Sequence, residues 1–159
     1  MEKTYIFGYG SLVIPHGINH RGMKYNYSGK DLHEAKLVGF KREWNAISKV
    51  GVRYLGVVNN DNSNCVNGVI FEVHSLNDLE AFKKSEEIPV TYTLDDVTEK
   101  VETTFKIEGK VFTCVTCKPS GLGEVSRYYY NFICSAIRDR GEKFEREFRE
   151  TTQMDFEKL

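Results

Sequence analysis

Two features of the chain could do chemistry together: a run of backbone amides near the start and a glutamate far downstream. The run is Gly8-Tyr9-Gly10-Ser11-Leu12, directly after the apolar stretch Tyr5-Ile6-Phe7. A β-branched and aromatic stretch of this kind reads as a strand buried on at least one face. It breaks into glycine and serine, so successive N–H groups leave the ladder and can form a concave nest for a carboxylate or an oxyanion. An ordinary β-turn after a core strand would look the same. The glutamate is Glu86. Ser75-Leu76-Asn77-Asp78 has the form of a helix N-cap with an acidic third position, which predicts a helix opening at Leu76 and ending by Glu87, before Pro89. With Leu76 at zero and about 100° per residue, Leu79 falls near 300°, Phe82 near 240° and Glu86 near 280°, while Glu87 falls near 20°. Glu86 therefore shares the apolar face. A carboxylate there is either a wet, frayed end, a structural ion pair, or a group with a raised proton affinity.

Other reactive side chains fit less well. The four cysteines are Cys65, Cys114, Cys117 and Cys134. Cys114 and Cys117 have CxxC spacing, but the Lys110–Cys117 run that holds both reads as a strand, which sends residues three apart to opposite faces. Reduced, structural cysteines are expected, and a redox or metal protein is the weaker reading. His16, His20 and His33 lie in the 13–34 segment, without acidic or cysteine partners at ligand spacing. They are expected to be solvated, in a long surface loop that serves as a lid or a substrate-selecting arm.

These candidates need elements to hold them. Strands are expected at 36–40, 53–58, 66–73, 97–105 and 110–116, with a polar turn at 59–64 and a tight hairpin at Glu108-Gly109. In the third of these, Val69, Phe71 and Val73 alternate with Ile70, Glu72 and His74, as one better-buried face requires, with His74 pointing outward. A second helix is expected from about Glu124 to Arg140, stopping at Gly141, with Val125, Tyr129, Phe132, Ile133, Ala136 and Ile137 on its buried face. A third, Glu142 to Thr151, should dock loosely through Phe144 and Phe148. The pattern is α+β.

Composition bounds the rest. The 159 residues are expected to form one domain spanning 1–159. Charge is balanced at 22 basic and 23 acidic residues, which argues against a nucleic-acid partner. No apolar run is long enough for a bilayer, and the N-terminus enters a strand directly, so a soluble cytoplasmic protein is expected.

The stretch Tyr5 to Leu12 resembles the N-terminal signature of the γ-glutamylcyclotransferase-like family, which includes γ-glutamylamine cyclotransferase-like and AIG2-like proteins. Its hallmark is a Tyr-Gly-Ser-Leu turn after the first strand. Ser85-Glu86-Glu87-Ile88-Pro89-Val90-Thr91-Tyr92 resembles the family's second motif, a catalytic Glu followed by Gly and later by Tyr. Here Pro89 and Tyr92 fit, and Glu87 stands where the Gly is usual. Lys118-Pro119 and Ser126-Arg127-Tyr128-Tyr129 resemble the start of the family's long helix, with six residues inserted between Pro119 and Ser126. The resemblance runs from about residue 4 to 151.

It implies a small mixed β-barrel flanked by helices. It also implies a reaction, in which the α-amino group of a γ-glutamyl compound attacks its own γ-carbonyl, giving 5-oxoproline and a free amine. Glu86 would be the general acid/base, and Tyr9, Gly10, Ser11 and Leu12 would hold the glutamyl end. Tyr92 and Tyr129 would be pocket hydroxyls, unless they are core tyrosines with satisfied OH groups. No metal, nucleotide or flavin is called for, and the expected partner is a small γ-glutamyl substrate. The identity of the leaving amine and the oligomeric state are left open. A non-catalytic small-molecule-binding or regulatory module on the same fold is the alternative, favoured by Glu87 and by the 13–34 segment.

Overall fold

Three consecutive residues of the first strand, Tyr5, Ile6 and Phe7, are all buried, because strands flank it on both sides and both faces are covered. The structure, a computed structural model, describes residues 2–60 and 64–159. Residues 61–63 of the turn expected at 59–64 lie outside the described residues. In chain order the elements are β1 (Lys3–Gly8), α1 (Pro15–Ile18), β2 (His33–Val38), β3 (Phe40–Ile47), β4 (Arg53–Asn59), β5 (Cys65–Val73), α2 (Leu76–Ser85), β6 (Tyr92–Asp96), β7 (Val101–Glu102), β8 (Gly109–Thr116), α3 (Arg127–Asp139) and α4 (Glu142–Thr151). The architecture is α+β, as expected.

The strands form one mixed sheet in the order β3-β4-β8-β1-β5-β2-β7, with β6 paired to β8. β1 runs antiparallel to β5 and parallel to β8. Among the described residues no ladder joins β3 to β7, so the sheet is open where a closed barrel was expected. The hairpin expected at Glu108-Gly109 is also absent among the described residues, because β7 pairs with β2 and β8 pairs with β1 and β6. Gly109 instead lets two backbones meet: a Cβ there would lie 1.8 Å from the Lys3 carbonyl oxygen. The single strand expected at 36–40 is split by Gly39, at φ +84, into β2 and β3. In β5, Ile70 is as buried as Val69 and Phe71, so both faces are covered there.

The helices follow their local signals. Ser75 caps α2 by accepting from the Asp78 amide at 3.1 Å, and Ser126 caps α3 by accepting from the Tyr129 amide at 3.2 Å. α3 therefore starts at Arg127, three residues later than expected from Glu124. α4 matches its expected bounds but is not loosely docked: Phe144 and Phe148 are both buried, and the Arg42 guanidinium lies 3.5 Å from the centre of the Phe148 ring. The 13–34 segment is not a plain surface loop either. Val13, Ile18, Tyr27 and Leu32 are buried in the core, and the Lys24 and Tyr25 amides donate to the Asp78 carboxylate at 2.7 and 3.2 Å. Among the described residues no helix is long and apolar enough to cross a membrane.

Candidate active site

The chain leaves β1 at Gly8 and turns at Gly10, whose backbone (φ −137, ψ −114) leads into a single 3₁₀ turn over Ser11–Val13. The Val13 amide closes that turn on the Gly10 carbonyl at 3.2 Å. Among the described residues no backbone carbonyl accepts from the amides of Gly10, Ser11 or Leu12. The Tyr9 carbonyl accepts from Arg42 Nη1 at 3.0 Å. In a trans peptide the following N–H points the opposite way, so this contact turns the Gly10 amide away from Arg42. The Tyr9 ring is buried, its hydroxyl donating to the Cys114 carbonyl at 2.6 Å.

Glu86 follows the last turn of α2, its amide bonded to the Phe82 carbonyl at 3.1 Å. Its side chain is 13% exposed and pairs with Arg21 Nη1 at 3.5 Å. Burial raises the proton affinity of Glu86; the Arg21 charge pulls it back and neighbouring Glu87 pushes it further up. Arg21 is the link between the two halves of the site. Its Nη2 donates to Ser11 Oγ at 2.6 Å and its Nε to the Gly17 carbonyl at 3.2 Å. The 13–34 segment, pinned by Asp78, thus carries a guanidinium that spans the Gly/Ser turn and the carboxylate.

The structure brings the predicted residues together. Tyr9, Gly10, Ser11, Leu12, Glu86, Tyr92 and Tyr129 all line one cavity of about 440 Å³. The Tyr92 hydroxyl donates to the Leu55 carbonyl at 2.6 Å, so its proton is already committed and its lone pairs remain. The Tyr129 hydroxyl lies 3.2 Å from where a Cβ on Gly10 would sit, and burial lifts its proton affinity above the usual phenol value.

Several lining residues had no sequence signal. Arg21 lies in a stretch without periodicity, and its role depends on chain folding rather than spacing. His16 and His20, expected as solvated loop histidines, are exposed at the cavity mouth, His16 stacked on Phe132 at 5.7 Å. Cys114 sits in the buried floor, where burial pushes its thiol well up, while the Cys117 thiol donates to the Pro89 carbonyl at 3.3 Å. Among the described residues no three His, Cys, Asp or Glu side chains gather as a metal site. His74, expected to be a plain outward residue, stacks on Tyr25 at 4.0 Å.

Glu87, which departs from the family pattern, has φ +54, a conformation that favours glycine. Its carboxylate accepts from the Lys49 amide at 3.0 Å and from Thr91 Oγ1 at 2.5 Å, contacts that hold the backbone there.

No family model matches the chain, and no curated protein matches it. Solved structures do. A protein described as a γ-glutamyl cyclotransferase superposes with a TM-score of 0.69 at 18% identity, over 93% of this chain and 86% of that one. An uncharacterized human protein matches equally, with a TM-score of 0.69 at 18% identity over 94% of this chain and 86% of its own. A yeast γ-glutamyl cyclotransferase specific to glutathione superposes with a TM-score of 0.56 at 10% identity, over 96% and 98% of the two chains. The chain has the γ-glutamylcyclotransferase-like fold.

Proposed function

We propose that the protein is a γ-glutamyl cyclotransferase that acts on a small γ-glutamyl amine or amino acid. The observation that carries this reading is the Arg21 guanidinium bridging Ser11 Oγ and Glu86 across one cavity, which puts anion donors and a proton acceptor within reach of one small molecule. The amides of Gly10, Ser11 and Leu12, helped by Arg21, take the substrate's α-carboxylate or the developing oxyanion. The α-amino group arrives as an ammonium and is not nucleophilic. Glu86 removes its proton, and the free amine attacks the γ-carbonyl carbon of the same molecule. The tetrahedral adduct expels the leaving amine as it takes that proton from Glu86. Glu86 then removes the second proton from the ring nitrogen, which leaves 5-oxoproline, and hands it to the departing amine, which leaves as an ammonium. Because attack is intramolecular, the site needs only to fold the glutamyl chain and carry two protons in turn from the attacking nitrogen to the leaving one. A carboxyl raised by burial suits both halves of that proton traffic. Tyr92 and Tyr129 shape the glutamyl end of the cavity.

The test is release of 5-oxoproline from γ-glutamyl amino acids, γ-glutamylamines and glutathione. Glu86→Gln should lower kcat by about 10²–10⁴-fold with the fold intact. The Arg21–Glu86 pair also favours a second reading, in which the cavity binds γ-glutamyl compounds without converting them. Tight binding of those compounds with no 5-oxoproline from any of them would select it.

A further inference from the structure

The cavity has two chemically different ends. Its floor holds the Gly10 turn and the half-buried Arg21 and Glu86. Its mouth is formed by His16, His20, Val50 and Tyr128, all exposed. Val50 is 82% and Tyr128 80% exposed, and they belong to a short set of large hydrophobic side chains the fold leaves in water. Leu122 belongs to the same set and is carried toward the Val50 turn, because a Cβ on Gly123 would lie 2.9 Å from the Gly51 carbonyl oxygen. Apolar surface that packing does not use, placed at the rim of a pocket whose floor carries a charged pair, is surface a ligand can cover.

Charge at the mouth points the same way. Among the described residues lining the cavity the carboxylates are Glu86 and Glu87. Glu86 is paired with Arg21, and Glu87 is engaged by Lys49 N and Thr91 Oγ1. A leaving group ending in an ammonium would meet imidazoles and aromatic rims with no carboxylate left to receive it. One ending in a carboxylate and an apolar side chain would meet a ring N–H of His16 and the faces of Val50, Tyr128 and Phe132, while His20 Nδ1 donates to the His16 carbonyl at 2.7 Å.

Resting on the cyclotransferase reading, we infer that the leaving group is an apolar, above all an aromatic, amino acid rather than lysine, a polyamine or another cation. Val50 and Tyr128 set this selectivity: they cover the side chain while the floor holds the glutamyl half. Neither touches the reacting atoms.

The experiment separates selectivity from turnover. Equilibrium binding to the Glu86→Gln protein is measured by calorimetry for γ-glutamyl-phenylalanine, γ-glutamyl-alanine and Nε-γ-glutamyl-lysine. The phenylalanine compound should bind about tenfold tighter than either of the others. Adding Tyr128→Glu, a change at an exposed position, should erase that margin and bring the lysine compound to parity or ahead. Equal affinities, tightest binding of the lysine compound, indifference to Tyr128→Glu, or no binding of all three would each overturn the inference. Release of 5-oxoproline by the unmodified protein is read separately. Phenylalanine-selective binding without turnover would remove the reaction and leave the selectivity standing, and turnover without selectivity would do the reverse.

Discussion

Arg42, 1% exposed, donates from Nη1 to the carbonyl of Tyr9 at 3.0 Å. Its other contacts run to Asn67 (2.7 and 2.8 Å), Thr152 (2.6 Å) and Thr151 (3.0 Å), so the end of α4, strand β5 and the Gly10 turn share one guanidinium. No carboxylate is among those acceptors; hydrogen bonds and the Phe148 ring hold the charge. Arg42→Met should therefore leave several buried acceptors unpaired and destabilise the protein by about 3–5 kcal/mol in urea unfolding. Arg42→Lys, which can reach fewer of the acceptors, should fall between. A loss below about 1 kcal/mol for Arg42→Met would mean the network is dispensable.

The proton affinity of Glu86 predicts two pH dependences. Burial raises it above the ordinary 4.5, with Arg21 opposing and Glu87 assisting. The folded form thus holds its proton more tightly than the unfolded chain. Its contribution to stability is full below the unfolded value and is lost as pH rises through the folded one. Relative to Glu86→Gln, the unmodified protein should lose stability as pH rises above 4.5. The acid limb of kcat/KM should sit above 4.5 for the same reason. Arg21→Met should move that limb to still higher pH and lower kcat/KM by about 100-fold. An acid limb unmoved by Arg21→Met would separate Arg21 from the proton carrier.

What could be read from the chain, and what could not, divides by the range of the interaction. α2 was legible because Ser75 and Pro89 bracket it locally, and α4 because Gly141, at φ +106, stops the preceding helix. The lining residues around Gly10 and Glu86 were legible because a turn chemistry and a helical face each point somewhere definite. The strand β6 was not, since Tyr92–Asp96 is short and half-buried, and its register is imposed by β8, at Tyr92↔Thr116. The false hairpin at Glu108-Gly109 has the same origin: the glycine serves a contact with Lys3, far away in sequence. Arg21 was invisible because its role rests on Glu86, far away in sequence, and on the Asp78 carboxylate that pins its segment through the Lys24 and Tyr25 amides.

Gly17 is a second structural dependency of the site. A Cβ there would lie 1.7 Å from the Ser11 carbonyl oxygen and 2.7 Å from its carbon, both backbone atoms that cannot swing aside. Gly17→Ala should push α1 off the Gly/Ser turn, costing about 1–3 kcal/mol. Arg21 Nε hangs from the Gly17 carbonyl, so kcat/KM should fall with stability. Gly29→Ala is the control: a Cβ there meets no atom within 4 Å, and the change should stay within about 0.5 kcal/mol.

Glu87→Gly restores the residue usual in the resembling motif, and two opposing effects decide its sign. Glycine relieves the strain of φ +54, by about 1–2 kcal/mol. It also deletes the acceptor for the Lys49 amide and Thr91 Oγ1. Hydrogen bonds to a charged group contribute about 1.5–3 kcal/mol each, with the lower end fitting a half-buried carboxylate. The sum favours Glu87, so the substitution should destabilise by about 1–2 kcal/mol in urea unfolding. It also removes a negative charge that raises the Glu86 carboxyl, so the acid limb of kcat/KM should shift to lower pH. A gain in stability would show that strain at residue 87 outweighs its two hydrogen bonds. The shifted acid limb would persist either way, because it depends on the charge beside Glu86 and not on the backbone angle.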